Sequence, residues 1–398
     1  MSIYAFADIE DGRAKKINAS VRFPSKQDGN IFFDCIHSIN LKYADELPKH
    51  LESFYSVVAF RPSHILLSRD VLGGKPLYYN PFTLTFSSFK RFFSEQAIEL
   101  KPGETLKIDY ESNIISSKIH RFEEVFPQES KDVDELLEKI DNTLKSFDPG
   151  ISCLAFSGGV DSSLLAYLYD VPLISVTAGE KEEEWVKNAA RILGREIEIY
   201  RFNEKDVREL IPYIISAIET DNKLHVSIAI PEYFALKFAK ELGYRNVIFG
   251  QGADELFGGY KRYETMNEKE LSHELQKDVM SIGQNNLVRD FKLAYSLEMN
   301  ILTPYLQWDI IRASINIPPE LKVRRIDGTV TRKYILRKIA SQYIPEELAY
   351  RDKKAMQYST RTSSILMKLA KKEKMSVQEW LQKYRHSHNY FFNEFRKF

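Results

Sequence analysis

Ser157-Gly158-Gly159-Val160-Asp161-Ser162-Ser163 is the stretch on which the reading of this chain turns. It follows the apolar run ISCLAF (151–156) and precedes LLAYLYD (164–170), so the pattern predicts a buried strand that turns through two glycines into a helix. Adjacent glycines let a backbone approach a ligand closely. The N–H groups that open a helix lack intrahelical acceptors, so such a turn cradles anions. Ser157, Ser162 and Ser163 add hydroxyl donors, and Asp161 offers a carboxylate to Mg²⁺ riding on phosphate oxygens. An ordinary Gly-rich turn closed by a Ser or Asp cap is the plainer alternative for the glycines taken alone. No GxxxxGK string followed by Ser or Thr occurs, so chemistry at a terminal phosphate is not indicated.

Outward from this turn the rhythm is strand, turn, helix. PLISVTA (172–178), EIEIY (196–200) and NVIFG (246–250) read as strands, and EEWVKNAARILG (183–194), VRELIPYIISAIE (207–219) and PEYFALKFAKELG (231–243) as helices. That alternation predicts a parallel sheet with helices on both faces. After about Tyr260 the pattern predicts helices without strands, broken at Pro304, Pro318, Pro319 and Pro345. The first 120 residues differ, with short β-branched and aromatic runs between Gly, Pro, Asn and Asp turns, as in a mainly-β module. The expected division is therefore 1–121, a linker at 122–135, and 136–398.

A second string, Phe249-Gly250-Gln251-Gly252-Ala253-Asp254-Glu255-Leu256-Phe257-Gly258-Gly259-Tyr260, follows the strand NVIFG. Loops at the carboxyl ends of strands in an open α/β sheet line one crevice, so both strings should face the same ligand. Asp161 and Asp254 would then share one Mg²⁺, which takes one or two carboxylates and fills its octahedron with phosphate oxygens and water. The plainer alternative makes Asp254 and Glu255 helix-cap groups.

SGGVDSS resembles the PP-loop of the ATP pyrophosphatases. Together with GQGADELFGGYKRY (250–263) it resembles the synthetase domain of B-type, glutamine-hydrolysing asparagine synthetases, as do KYILRKIA (333–340) and Arg351-Asp352-Lys353-Lys354-Ala355. Arg69-Asp70-Val71-Leu72-Gly73-Gly74-Lys75-Pro76-Leu77-Tyr78-Tyr79 is similar to a strand pair of that family's glutaminase domain. The resemblance implies an α/β protein: a shortened, Ntn-hydrolase-like mainly-β module, then a parallel-sheet PP-loop domain with a helical C-terminal part. It assigns ATP to Ser157, Gly158, Gly159, Val160, Asp161, Ser162, Ser163, Val176 and Gly252, Mg²⁺ to Asp161 and Asp254, and the catalytic cation to Lys353.

Two departures from the family pattern matter. Where the family has a glutamate four residues before the proline of its PFLD-like segment, this chain has Asn300 before TPYLQ, with Glu298 two residues earlier as the substitute base, and Gln307 replaces the aspartate. An amide does not titrate, so Asn300 cannot take a proton. The nucleophilic cysteine that follows the initiator Met in the family is here Ser2, and the glutamine-holding NGEIYN-like segment is missing. Those losses imply a front module kept as structure. The expected reaction is adenylation of a carboxylate, aspartate first, followed by amide formation with ammonia from solution or from a separate glutaminase. The alternatives are a β-lactam synthetase-like ligase using another carboxylate, and a nucleotide-binding regulator without turnover.

Composition excludes other classes. The 398 residues carry 56 Lys plus Arg against 56 Asp plus Glu, a net charge of zero that offers no global attraction to nucleic acid or an anionic membrane. Cys35 and Cys153 are the only cysteines, lie in apolar runs outside any CxxC pattern, and read as small buried hydrophobes rather than a disulfide or zinc site. No secretory signal and no membrane-length apolar run is found, so a cytoplasmic location is expected; a homo-oligomer is compatible with the sequence.

Overall fold

The computed structural model describes residues 2–10, 13–35, 45–326, 328–351 and 360–385. The protein is mixed α/β and divides into two compact units, residues 1–128 with 280–300, and residues 129–279 with 301–398. The segment 280–300 belongs to the first unit although it follows 150 residues of the second in sequence, a feature that no local pattern announces.

The first unit is built from two antiparallel sheets. One runs, in spatial order, Arg13–Val21, Ile3–Glu10, Thr85–Ser87, Tyr78–Asn80, Ile98–Glu99; the other Ile114–Ile119, Glu104–Ile108, Ile65–Arg69, Ser56–Phe60, Ile31–Asp34, Lys26–Asp28. Alternation sets the inner face: Ile3, Ala5 and Ala7 of one sheet meet Phe32, Val58, Phe60, Leu67 and Leu106 of the other in one buried cluster. Phe60 sits edge-on to both Phe32 and Phe86, with ring centroids 5.9 and 5.8 Å apart.

The Arg69-Asp70 pair organises this unit rather than a substrate. The buried Arg69 guanidinium donates to the carbonyls of Leu100 and Gly73, each at 2.6 Å, and to Glu99 at 2.9 Å. The Asp70 carboxylate accepts from the backbone N–H groups of Leu72, Gly74, Tyr55 and Lys75 at 3.1–3.3 Å. Burial pushes its pKa up, opposed by Arg69 and the N–H groups of Gly74, Lys75 and Tyr55. Helix Val288–Ser296 closes the unit: Tyr295 donates to Asp34, and Lys292 donates to the Tyr78 hydroxyl at 2.9 Å.

The second unit holds a five-stranded sheet in the order Ile197–Arg201, Leu173–Thr177, Ser152–Ala155, Asn246–Ile248, Asn300–Leu302. The first four strands are parallel, with Leu154 opposite Leu173 and Ser152 opposite Asn246. The absence of strands expected after Tyr260 is corrected here: Asn300–Leu302 joins this sheet, where Phe249 N–H donates to Leu302 O at 3.0 Å, and Arg324–Ile326 pairs with Thr329–Thr331. Three-residue strands are too short to show a period of two. Helix Lys223–Glu241 starts eight residues before the expected Pro231, because the Asn222 side chain caps it by accepting from Leu224 and His225 N–H. Within the stretch 122–135 lie a four-residue helix, Phe122–Val125, and the start of helix Val133–Ser146, capped by Asp132. Among the described residues no helix is long and apolar enough to cross a membrane, and both cysteines are free and buried, with burial pushing the Cys153 thiol up to about 12.

Candidate active site

The strand order decides where a ligand can sit. Strand Ser152–Ala155 lies between Leu173–Thr177 on one side and Asn246–Ile248 on the other, so the connections leave it in opposite directions and open a crevice beyond its carboxyl end. The 157–163 loop leaves from that end, and the 249–260 loop leaves from the neighbouring strand. A cavity of about 40 Å³ lies there, lined among others by Phe156, Ser157, Val176, Glu182, Phe249 and Thr360.

Each side of the first loop is pinned. Gly158 adopts φ +66°, and a Cβ there would stand 2.5 Å from Trp185 Nε1. Gly159 is the N-cap of helix Val160–Leu168, and no side chain caps it. Ser162 Oγ is committed to the loop itself, accepting from Ser157 N–H at 3.1 Å and donating to Gly159 O at 3.3 Å, while Ser157 and Ser162 hydroxyls pair at 3.1 Å. Ser163 Oγ is buried with no hydrogen-bond partner among the described residues, and Val160 is buried. The anion-facing capacity of the turn therefore rests on backbone more than on three serine hydroxyls.

The second loop turns at Gly252, φ +89°, packed on Leu306, and at Gly258, φ +75°. Between them Ala253–Phe257 forms one short helix whose first turn carries Asp254 and Glu255; neither is its N-cap, which is Gly252. Glu255 is buried, its pKa raised by that burial against the pull of a hydrogen bond from Tyr260 and of the Lys333 charge. Gln251 donates to the buried Glu232 carboxylate at 3.1 Å.

The two acidic residues expected to share a cation converge on one point. Lys333 Nζ lies 2.7 and 2.6 Å from the two carboxylate oxygens of Asp161 and 2.7 Å from Asp254 Oδ1. Burial lowers the Lys333 pKa, opposed by Asp161 and Glu255. Tyr305 donates to Asp161 O at 2.9 Å and fixes the helix start from the other side. Arg351 donates to the carbonyls of Ser157 and Gly158, both at 3.2 Å.

Of the remaining expected residues, Lys353 lies outside the described residues. Glu298 lies in the first unit, at φ +55°, ion-paired with Arg22 at 3.1 Å. Gln307 donates to Thr143 O and Pro304 O, an internal packing role. Ser2 is fully buried, and its hydroxyl pairs with that of Ser25. Lys333, Arg351, Trp185 and Glu232 carry no site role in the sequence pattern: all four lie within the strings quoted above, but nothing local tells that a lysine will meet an aspartate 172 residues away.

The family model for asparagine synthase matches residues 133–270 and 263–394. The chain belongs to the asparagine synthase family. The match reaches well past Ala355, where the motifs above end. A glutamine-hydrolysing asparagine synthetase of Methanocaldococcus jannaschii, so named provisionally, is 28% identical over 85% of this chain and 75% of its own length. Asparagine synthetase 1 of Lotus japonicus and the root enzyme of Pisum sativum, both named as glutamine-hydrolysing, are each 28% identical over 50% of this chain, which there spans 37% of their length. Among solved structures, an NH3-dependent NAD synthetase of Campylobacter jejuni aligns over 41% of this chain and 79% of its own at 17% identity, with a TM-score of 0.23, too slight a likeness to argue from. This asparagine synthase-family member thus combines a matched second unit with a site of two carboxylates and a backbone cradle.

Proposed function

We propose that the protein is an ATP-dependent, AMP-forming amide ligase that converts a carboxylate, aspartate first, into its amide. The observation that carries this reading is the convergence of Asp161 and Asp254 beside an uncapped helix N-terminus at the crevice of a parallel sheet. The donor set fits Mg²⁺: two carboxylates already within 2.7 Å of one cationic centre, with room left for phosphate oxygens. Held there, Mg²⁺ would neutralise phosphate charge.

The substrate carboxylate attacks the α-phosphorus, the bond to the bridging oxygen breaks, and pyrophosphate leaves towards the 157–163 cradle. The nitrogen of ammonia then attacks the acyl carbon, loses a proton, and AMP departs with the carbon–oxygen electron pair. Lys353 is proposed to neutralise the charge that gathers during both steps, where a fixed cation in a dry site is worth several kcal/mol. Val176 and Phe249 line the pocket proposed for the adenine. Glu298 is given no step. The buried, paired Ser2 hydroxyl supports an idle glutaminase module, with ammonia coming from solution or from a separate glutaminase.

The test is incubation with aspartate, ATP and ammonium, with nucleotides resolved by chromatography. AMP and pyrophosphate are expected, and ADP with phosphate would overturn the reading. Screening other carboxylates by pyrophosphate release decides the acceptor. Release lost in Asp161→Ala but present in the natural protein would dispose of a non-catalytic regulator.

A further inference from the structure

We infer that Lys333 is the resident counter-ion of the cation site: its ammonium holds the Asp161 and Asp254 carboxylates together until a divalent cation arrives with the nucleotide. This rests on the site reading above, but its test does not use turnover.

Three independent features converge on that role. First, the Lys333 side chain is 2% exposed, whereas the Asp161 and Asp254 side chains are each 23% exposed. The ammonium thus reaches the pair from inside the protein and leaves it accessible to an ion from solvent. Second, Lys333 holds φ +54°, a left-handed conformation that is unfavourable for a side-chain-bearing residue. As the residue that starts helix Tyr334–Ala340, it is kept in that strained geometry while its amine spans both aspartates. Third, the neighbouring backbone is cleared for it. A Cβ at Gly259 would stand 1.8 Å from Asp254 Oδ1 and 2.3 Å from Lys333 Cε, so only glycine leaves space for this pair to meet.

The electrostatic consequence follows from charge counting. Two carboxylates a few ångströms apart repel strongly in a partly buried site, and one fixed positive charge between them reduces the pair from minus two to minus one. A bare divalent cation then gains little, because it must share both ligands with the ammonium. A cation that carries nucleotide phosphates offers the displaced ammonium new negative oxygens to bond. Lys333 is therefore a positioning residue that couples metal binding to nucleotide binding and keeps the site from filling with metal alone.

The experiment is Mn²⁺ titration without nucleotide, followed by the electron paramagnetic resonance signal of free Mn²⁺, with thermal melts in parallel. Lys333→Met is expected to bind Mn²⁺ at least about tenfold more tightly than the natural protein, and to melt lower in chelator with recovery on adding Mn²⁺. Lys333→Arg, which keeps the charge, should bind as weakly as the natural protein. Equal Mn²⁺ affinity in the natural protein and Lys333→Met would overturn the inference. Should Lys333→Met fail to fold, Asp161→Asn is compared with Asp161→Asn/Lys333→Met, which together remove one charge of each sign: the double variant should bind Mn²⁺ more tightly than the single, and equal affinity again overturns it. Failure of the ligase reading shows instead as no pyrophosphate release with any carboxylate, leaving these affinities untouched.

Discussion

The guanidinium of Arg351 lies over the indole of Trp185, its central carbon 3.7 Å from the ring centroid, and both side chains bond the same carbonyl, that of Gly158. Arg351 is half-buried, and the loss of hydration lowers its pKa against the attraction of Glu182, 3.9 Å away. The pair works as a clamp on the 157–163 turn, because both side chains hold the Gly158 carbonyl.

Gly158→Ala is accordingly expected to fail twice, through strain at φ +66° and through overlap with Trp185 Nε1. A loss of stability of about 1–3 kcal/mol should accompany loss of ATP affinity, read by urea denaturation and isothermal calorimetry. Trp185→Phe keeps a ring under Arg351 but deletes the N–H bond, and should weaken ATP binding less than Gly158→Ala does.

In the first unit, Lys75 Nζ lies 3.1 Å from Asp34 and 3.5 Å from the centroid of the Phe291 ring, with both charged side chains 4% exposed. Lys75→Met leaves Asp34 buried beside Tyr295 without its cation, and should cost about 3–5 kcal/mol. Asp34→Asn/Lys75→Met should recover part of that loss. Denaturant midpoints of the two variants check it, and additive losses would refute a coupled pair.

Lys322 is buried, and burial alone pushes its ammonium down to about 7 from an ordinary value of 10.5. Between those two values the unfolded chain holds a proton that the folded protein has released, so stability rises with pH across that window and the penalty is complete below about 7. Lys322→Met removes a penalty on the order of a few kcal/mol at neutral pH. Its melting temperature should exceed that of the natural protein at pH 7, and the gap should close towards pH 10. A gap independent of pH would contradict a buried amine as the cause.

Ser2→Ala deletes a hydroxyl that pairs with that of Ser25. Ammonium-dependent pyrophosphate release should be unchanged, glutamine should support amide formation in neither form, and stability should shift by about 1 kcal/mol at most. Glutamine-dependent turnover lost in Ser2→Ala would reverse the view of this module.

Much of the fold can be read along the chain. The strand Ser152–Ala155, its glycine turn and helix Val160–Leu168 follow from an apolar run, two glycines and a helical repeat that lie within twenty residues of one another. Strands Leu173–Thr177 and Asn246–Ile248 are legible for the same reason: parallel strands covered on both faces are continuous apolar runs. Asn300–Leu302 is not, because three residues carry no periodicity, and its place beside Asn246–Ile248 depends on a pairing some fifty residues distant. The adoption of residues 280–300 by the first unit is hidden likewise, since Gly283, set tight against Leu72 O, looks in sequence like any glycine.

By itself, then, the amino-acid sequence determined the chemistry on offer: a glycine turn for an anion, Asp161 and Asp254 as carboxylates, and a front module with serine where a thiol would be needed. Those are properties of residue type and short-range order, which the chain carries whether folded or not. The tertiary structure alone decided that Lys333 stands between the two aspartates, that Arg351 and Trp185 clamp Gly158, and that Ser162 is used up inside its own loop. Each is a distance between groups that only a packed core brings together. Ion pairs and clamps of this kind depend on desolvation and on geometry to within an ångström, neither of which exists until the strands have paired.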